Sequence, residues 1–236
     1  MNNLYRELAP ITEAAWEQIE DEARRTYERW IAGRRVVDVT GPDGSELAAV
    51  GTGHLRPIAP AASGVITRQR DAKHVIELRV PFRVTREAVD DVERGSEDSD
   101  WQPVKDAVQQ IALAEDRAIF HGLPSADIEG IVPTSSNEPV DTPNEIDEFT
   151  EVVAHAVSEL RLAGVGGPYS LLLSADLYTE VSETTVHGYP IVDHLARMLD
   201  GEIIWAPGLR SGGLLVTTRG GDFELHLGQD LSIGYL

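Results

Sequence analysis

Apolar residues recur at three- and four-residue steps through Trp16, Ile19, Ala23, Tyr27, Trp30 and Ile31, a spacing that gathers them on one face of a helix. Thr12 can cap its start, and Gly33 stands where it would end. A second helix follows the same grammar: Pro103 in its first turn, Val104, Val108, Ile111, Ala114, Ala118 and Ile119 on one face, and Gly122 at its close. A third is predicted from Pro143, with Ile146, Phe149, Val153, Val157 and Leu160 on one face and Gly164 after it. Pro190 starts a shorter one through Ile191, Leu195 and Leu199. β-Branched or apolar runs predict strands at 36–40, 75–80, 169–174, 203–206, 214–218 and 223–227. Between the first two of these, residues 45–70 are rich in Gly, Pro, Ala and Thr and hold no sustained period. Such a stretch makes a poor core and reads as an arm or long hairpin that finds its partner outside its own domain. No internal repeat is visible, and helices mixed with strands in this order give the class α+β.

Composition narrows the function more than it names it. The chain has 236 residues, enough for one large domain or two small ones. No stretch approaches the roughly 18–20 uncharged apolar residues that span a bilayer, and the N-terminus lacks a basic region followed by an apolar one. The reading is a soluble, cytoplasmic protein with no membrane partner. Cysteine is absent, so disulfides, thiolate metal sites and cysteine nucleophiles are excluded. Forty acidic residues against twenty basic ones give a formal charge of −20, which argues against nucleic acid as a partner. Acid concentrates at 90–100 and again at 138–151, where solvated faces or cation attraction are the two readings.

A search for chemistry finds little. There is no phosphate loop, dinucleotide fingerprint or His-Glu-x-x-His zinc motif. Gly164-Val165-Gly166-Gly167 and Gly212-Gly213 read as turns. Ser174, Asp176, His187 and Asp193 can be drawn as a hydrolase grouping, yet Ser174 lacks the Gly-x-Ser-x-Gly turn that exposes a nucleophile. No catalytic residue, metal site or cofactor is assigned, and the chain reads as not an enzyme.

Several segments together carry a resemblance. They are Met1-Asn2-Asn3-Leu4-Tyr5-Arg6-Glu7-Leu8-Ala9-Pro10, Gly33-Arg34-Arg35-Val36-Val37-Asp38-Val39, Asp91-Val92-Glu93-Arg94-Gly95, and Glu115-Asp116 before Ile119-Phe120. Gly167-Pro168-Tyr169, His187-Gly188-Tyr189-Pro190, Arg219-Gly220-Gly221-Asp222-Phe223 and Leu227-Gly228-Gln229-Asp230-Leu231-Ser232-Ile233-Gly234-Tyr235 complete the set. In that order, from residue 1 to 235, the chain closely resembles the bacterial encapsulin shell proteins of family 1, formerly labelled linocin-type bacteriocins.

The resemblance implies an HK97 phage-capsid-like fold. On that reading residues 1–40 hold the N-terminal helix and first part of a peripheral domain, 41–87 the extended arm or E-loop, and 88–130 the spine helix. An axial domain follows at 131–214, and 215–236 return to the peripheral domain. It further implies a homo-oligomer closing as an icosahedral cage of about sixty copies in its smallest form. The implied task is a nanocompartment that encloses a cargo enzyme, a dye-decolorising peroxidase or a ferritin-like protein that serves iron storage. With subunits this acidic, closure would rest on buried apolar area and arm pairing, since repulsion is screened only beyond roughly 8 Å at physiological salt.

Site residues follow from the same resemblance. A tail peptide of the cargo is expected to dock on Ile31, Arg34 and Asp38 facing Asp230, Leu231 and Ile233, with apolar sockets for alternate side chains and charged groups for the backbone. Read from the residues alone, Ile31 and Ile233 are core, and Arg34 with Asp38 is a local ion pair. His187, Gly188 and Tyr189 match a loop that lines the fivefold opening, where a ring of histidines would be a pH-responsive gate; replacing His187 by Ala should then alter small-molecule entry without preventing shell formation. Two departures stand out. Some members stack a flavin on a Trp after the arm, but Thr85-Arg86-Glu87-Ala88 holds no aromatic residue, so no flavin is expected. The family also continues past Ile-Gly-Tyr with a further strand, while the sequence here stops at Leu236, which would expose a sheet edge. The alternatives are a peptide-binding oligomer that does not close and a bacteriocin or peptidase-like activity.

Overall fold

A computed structural model describes residues 3–143, 145–186 and 188–236. Helix α1 (Glu13–Trp30) starts as its sequence predicts, with Thr12 Oγ1 accepting from the Ala15 amide at 3.3 Å. It ends before Gly33, which opens a short 3-10 turn (Gly33–Arg35) instead. The cause is a close approach to the spine helix: a Cβ on Gly33 would lie 2.7 Å from Ile119 Cδ1 and 3.0 Å from Asp116 Oδ1. Strand β1 (Asp38–Thr40) follows the turn.

The low-period stretch is a hairpin. β2 (Ala49–Pro57) pairs antiparallel with β3 (Arg68–His74), and no residue of either strand is buried. The apolar alternation at 75–80 forms no strand. The chain pairs seven residues earlier through a polar segment, because backbone bonding to β2, and not a buried face, selects the register. By Phe82 and Val84 the chain has returned to the body and packs on its first core cluster.

Helix α2 (Arg86–Glu93), not anticipated from the sequence, is capped by Thr85 Oγ1 accepting from the Ala88 amide at 3.1 Å. The spine helix α3 (Gln102–His121) carries Pro103 in its first turn and closes at Gly122, as expected. A single turn, α4 (Ile131–Thr134), leads toward α5 (Phe149–Leu162). That helix starts six residues after Pro143, with a 3-10 turn (Ile146–Glu148) leading in.

A three-stranded sheet organises the second half. Its centre, β4 (Tyr169–Leu173), is buried at every position, as a strand covered on both faces should be. α6 (Ala175–Glu183), β5 (Thr185–Val186), β6 (Tyr189–Pro190) and α7 (Ile191–Leu199) come next. β7 (Asp200–Trp205) then pairs parallel with β4 and β8 (Gly213–Thr217) pairs antiparallel on its other side. β9 (Glu224–His226) crosses back to pair parallel with β1.

Three apolar clusters result. The first joins α1, α2 and α3 to Ile233. The second covers one face of β4, where Tyr169, Leu171 and Leu173 meet α5, α6 and α7. The third takes the opposite face, where Leu172 meets Phe120 of α3, Ala32, Val36 and Leu209. Alternation along β4 thus sews the sheet to the spine, and each fully buried leucine contributes about 1.5–3 kcal/mol.

Candidate functional site

The two ends of the sequence meet over α1 and α3. The Tyr235 amide donates to Leu4 O at 2.7 Å, and Arg6 Nε donates to Ile233 O at 2.7 Å. Ile233 is thereby held as part of the first cluster, with Ile31 and Leu231 half-buried at its edge. Beside them Arg34 closes a polar bracket. Its Nε and Nη2 donate to the two carboxylate oxygens of Glu115 at 2.6 and 3.0 Å, and Nη1 donates to Asp230 Oδ1 at 2.9 Å. The guanidinium lies 5.0 Å from the centre of the Tyr27 ring, whose hydroxyl donates to Glu115 at 2.7 Å. Burial and the neighbouring Glu115 push the Tyr27 phenol up, so it stays a donor. Such a bidentate, stacked arginine fixes geometry in a way a lysine would not.

Five of the six expected docking residues, Ile31, Arg34, Asp230, Leu231 and Ile233, therefore share one neighbourhood. Asp38 sits apart, on an open cleft between residues 35–38 and 217–223. Its carboxylate accepts from the Gly221 amide at 2.5 Å. The local Arg34–Asp38 ion pair suggested by the residues alone is not formed: Arg34 pairs across the fold with Glu115 and Asp230, because the turn at Gly33–Arg35 directs it toward α3. The other half of that reading holds for Ile233, which is core.

Asp116, one residue from Glu115, is fully buried. It accepts from the Gly33 amide at 2.7 Å and from the Ala32 amide at 3.0 Å, closing the turn that carries Arg34. Burial raises its pKa to about 7, although the two amides favour the charged form. Sequence reasoning placed Tyr27 on the apolar face of the first helix and Glu115-Asp116 among the segments of the resemblance, but gave none of them a role at the docking face. A signal existed: Val104, Val108, Ala112, Asp116 and Phe120 form one four-residue row, and four of the five are apolar. A carboxylate in such a row needs built-in donors.

The turn between β5 and β6 carries the expected pore residues. Gly188 adopts a positive φ of 82°, and Tyr189 is two-thirds exposed at 67%. His187 lies outside the described residues. The hydrolase grouping gains no support, since Ser174 is buried before α6 while Asp176 and Asp193 are exposed. Among the described residues, no three acidic or histidine side chains converge as a metal site, and no helix is long and apolar enough to cross a membrane.

Comparison with known proteins supplies the frame. The family model described as encapsulating protein for peroxidase matches residues 1–236. Type 1 encapsulin shell proteins of Brevibacterium linens and Rhodococcus erythropolis are 64% and 61% identical over the whole chain, which spans 88% and 89% of their lengths. The Mycobacterium tuberculosis type 1 encapsulin shell protein is 58% identical over 235 residues, 88% of its length. Among solved structures, a virus-like particle from Pyrococcus furiosus superposes with a TM-score of 0.64 at 14% identity, over 92% of this chain and 85% of that one. The α+β architecture is thus a capsid fold of the HK97 kind, and the relatives carry the name of a shell protein and not of an enzyme. On its sequence and its fold, this chain belongs to the type 1 encapsulin shell proteins.

Proposed function

We propose that this shell subunit encloses a cargo enzyme and captures it through a tail peptide on the face formed by Ile31, Arg34, Asp38, Asp230, Leu231 and Ile233. The observation that carries the reading is the Arg34–Asp230 pair at 2.9 Å beside a half-buried apolar edge, joining segments 196 residues apart in sequence. An extended peptide could set alternate apolar side chains against Ile31 and Leu231, over a floor that includes Ile233. Three of the five guanidinium N–H groups of Arg34 are engaged in the bonds above, leaving two to donate to peptide carbonyls. Asp38, which lies apart from the other five with its carboxylate held by the Gly221 amide, is the weakest member of this assignment.

The description of the matching family, an encapsulating protein for peroxidase, favours a peroxidase cargo; a ferritin-like iron oxidase fits the same mode of capture. The Gly188-Tyr189 turn, with its exposed ring, is proposed to line an opening in the assembled wall, together with His187. The test is to fuse the C-terminal tail of a co-encoded peroxidase or ferritin-like protein to a fluorescent protein and express it with the full chain. Fluorescence should co-purify with particles and be lost with Leu231→Asp. Intact particles that exclude the fusion would overturn the docking assignment.

A further inference from the structure

We propose that Asp116 is a positioning residue for capture of the cargo tail: as a carboxylate it holds the turn that aims Arg34, and when protonated it gives up part of that hold and docking weakens. The inference rests on the docking reading above.

Asp116 has no access to a peptide. It is 0% exposed, so any effect on docking passes through the turn it closes. Its Oδ1 accepts from the Gly33 amide at 2.7 Å and from the Ala32 amide at 3.2 Å, and its Oδ2 accepts from the Ala32 amide at 3.0 Å. Both oxygens are thus occupied as acceptors. Two glycines fix where the carboxyl sits: a Cβ on Gly33 would lie 3.0 Å from Oδ1, and one on Gly208 would lie 2.5 Å from the Asp116 Cβ and 3.2 Å from Oδ2. Close packing on both sides passes a change at the carboxyl to the two amides. Arg34 follows Gly33 directly, and from this turn its guanidinium reaches Glu115 and Asp230.

Protonation alters the hold. A carboxylate only accepts, whereas the neutral acid carries one O–H donor. A hydrogen on Oδ2 confronts the Ala32 N–H, and one on Oδ1 confronts the Gly33 N–H, so the acid keeps one amide at the expense of the other. Burial raises the pKa to about 7, where this exchange falls within the physiological range. Two charged groups face the carboxyl: Glu115 on its own helix favours the neutral form, and Arg34 on the turn favours the charged one. The remaining segment packed on it, residues 206–209, is Ala-Pro-Gly-Leu and brings no titratable side chain. Tyr27 of α1 bonds Glu115 instead. A buried charge lowers subunit stability above neutral pH, and asparagine would avoid that cost. Stability alone is therefore better served by asparagine; the ionised acid serves the hold on both amides.

The experiment measures fluorescence anisotropy of a labelled synthetic peptide, with the sequence of the tail used in the fusion above and any histidine in it replaced, on particles of the full chain. With capture limited to the ionised form, Kd should rise about tenfold from pH 8 to pH 6, as that form falls from roughly nine-tenths to one-tenth of the total. Asp116→Asn should bind about tenfold more weakly than wild type at pH 8 and show no pH response, while its subunit unfolds later. Weaker docking with a more stable subunit is a combination that a merely structural contribution does not give. His226→Gln, at the histidine of β9, should keep the wild-type profile. A wild-type Kd that is the same at pH 6 and pH 8 would overturn the proposal, as would an Asp116→Asn protein that binds as tightly as wild type at pH 8. So would a pH response that persists in Asp116→Asn and vanishes in His226→Gln. A peptide that fails to bind wild-type particles at any pH would instead overturn the docking reading, and this inference with it.

Discussion

The spine junction and the arm use opposite means to hold their shape. At the junction, Phe120, Leu172 and Ile204 are fully buried, and the turn at Gly33 is pinned by a carboxylate from α3. The Asp116 carboxyl finds its partners inside the same subunit, the amides of Ala32 and Gly33. In the arm no strand residue is buried, and Ile66 near its tip is 82% exposed. The difference teaches that a single subunit is complete in its body and incomplete in its arm, as a building block of a wall must be.

The sharpest way to break the comparison is to cut into the body. Phe120→Ala should cost about 3–5 kcal/mol of subunit stability, read as a lower urea midpoint. Next comes the pin. Asp116 is raised from an ordinary value of 3.8 to about 7 by burial, with Glu115 and Arg34 the charged groups facing it. The native state then holds a proton that the unfolded chain gives up near pH 4. Its contribution is therefore full below about pH 4 and is lost as pH rises through about 7, a fall on the order of 2–4 kcal/mol. Asp116→Asn, which mimics the protonated acid, should abolish that slope and unfold later than wild type at pH 8. An unchanged slope would remove the pin from the account.

A smaller effect is expected at the bracket. Arg34→Ala leaves Glu115 largely buried without its cation and should cost about 2 kcal/mol, with Arg34→Lys recovering only part because the bidentate contact is lost. The smallest belongs to the arm. Ile66→Ser should change subunit unfolding by less than about 0.5 kcal/mol while reducing assembly measured by light scattering, the reverse of the pattern for Phe120→Ala.

Legibility in the sequence followed the same division. α1, α3, α7 and β4 were readable because their periods reflect a face buried within the subunit. α2 and α6 were not, since eight- and nine-residue helices give too few turns to establish a period. The arm strands lack a pattern because neither of their faces is covered, so Val75 to Val80 looked more like a strand than Arg68 to His74, which is one. At the candidate site, the family resemblance set Arg34 on a face opposite Asp230 but gave no sign of the ion pair that joins them across 196 residues. Nor could spacing show that Asp116, on an otherwise apolar row, closes the turn from which Arg34 projects.

The most direct measurement is electron microscopy of the purified full chain over a range of concentrations. The account predicts closed, hollow particles of uniform size built from identical copies. A well-folded single subunit that never associates, even when concentrated, would contradict it.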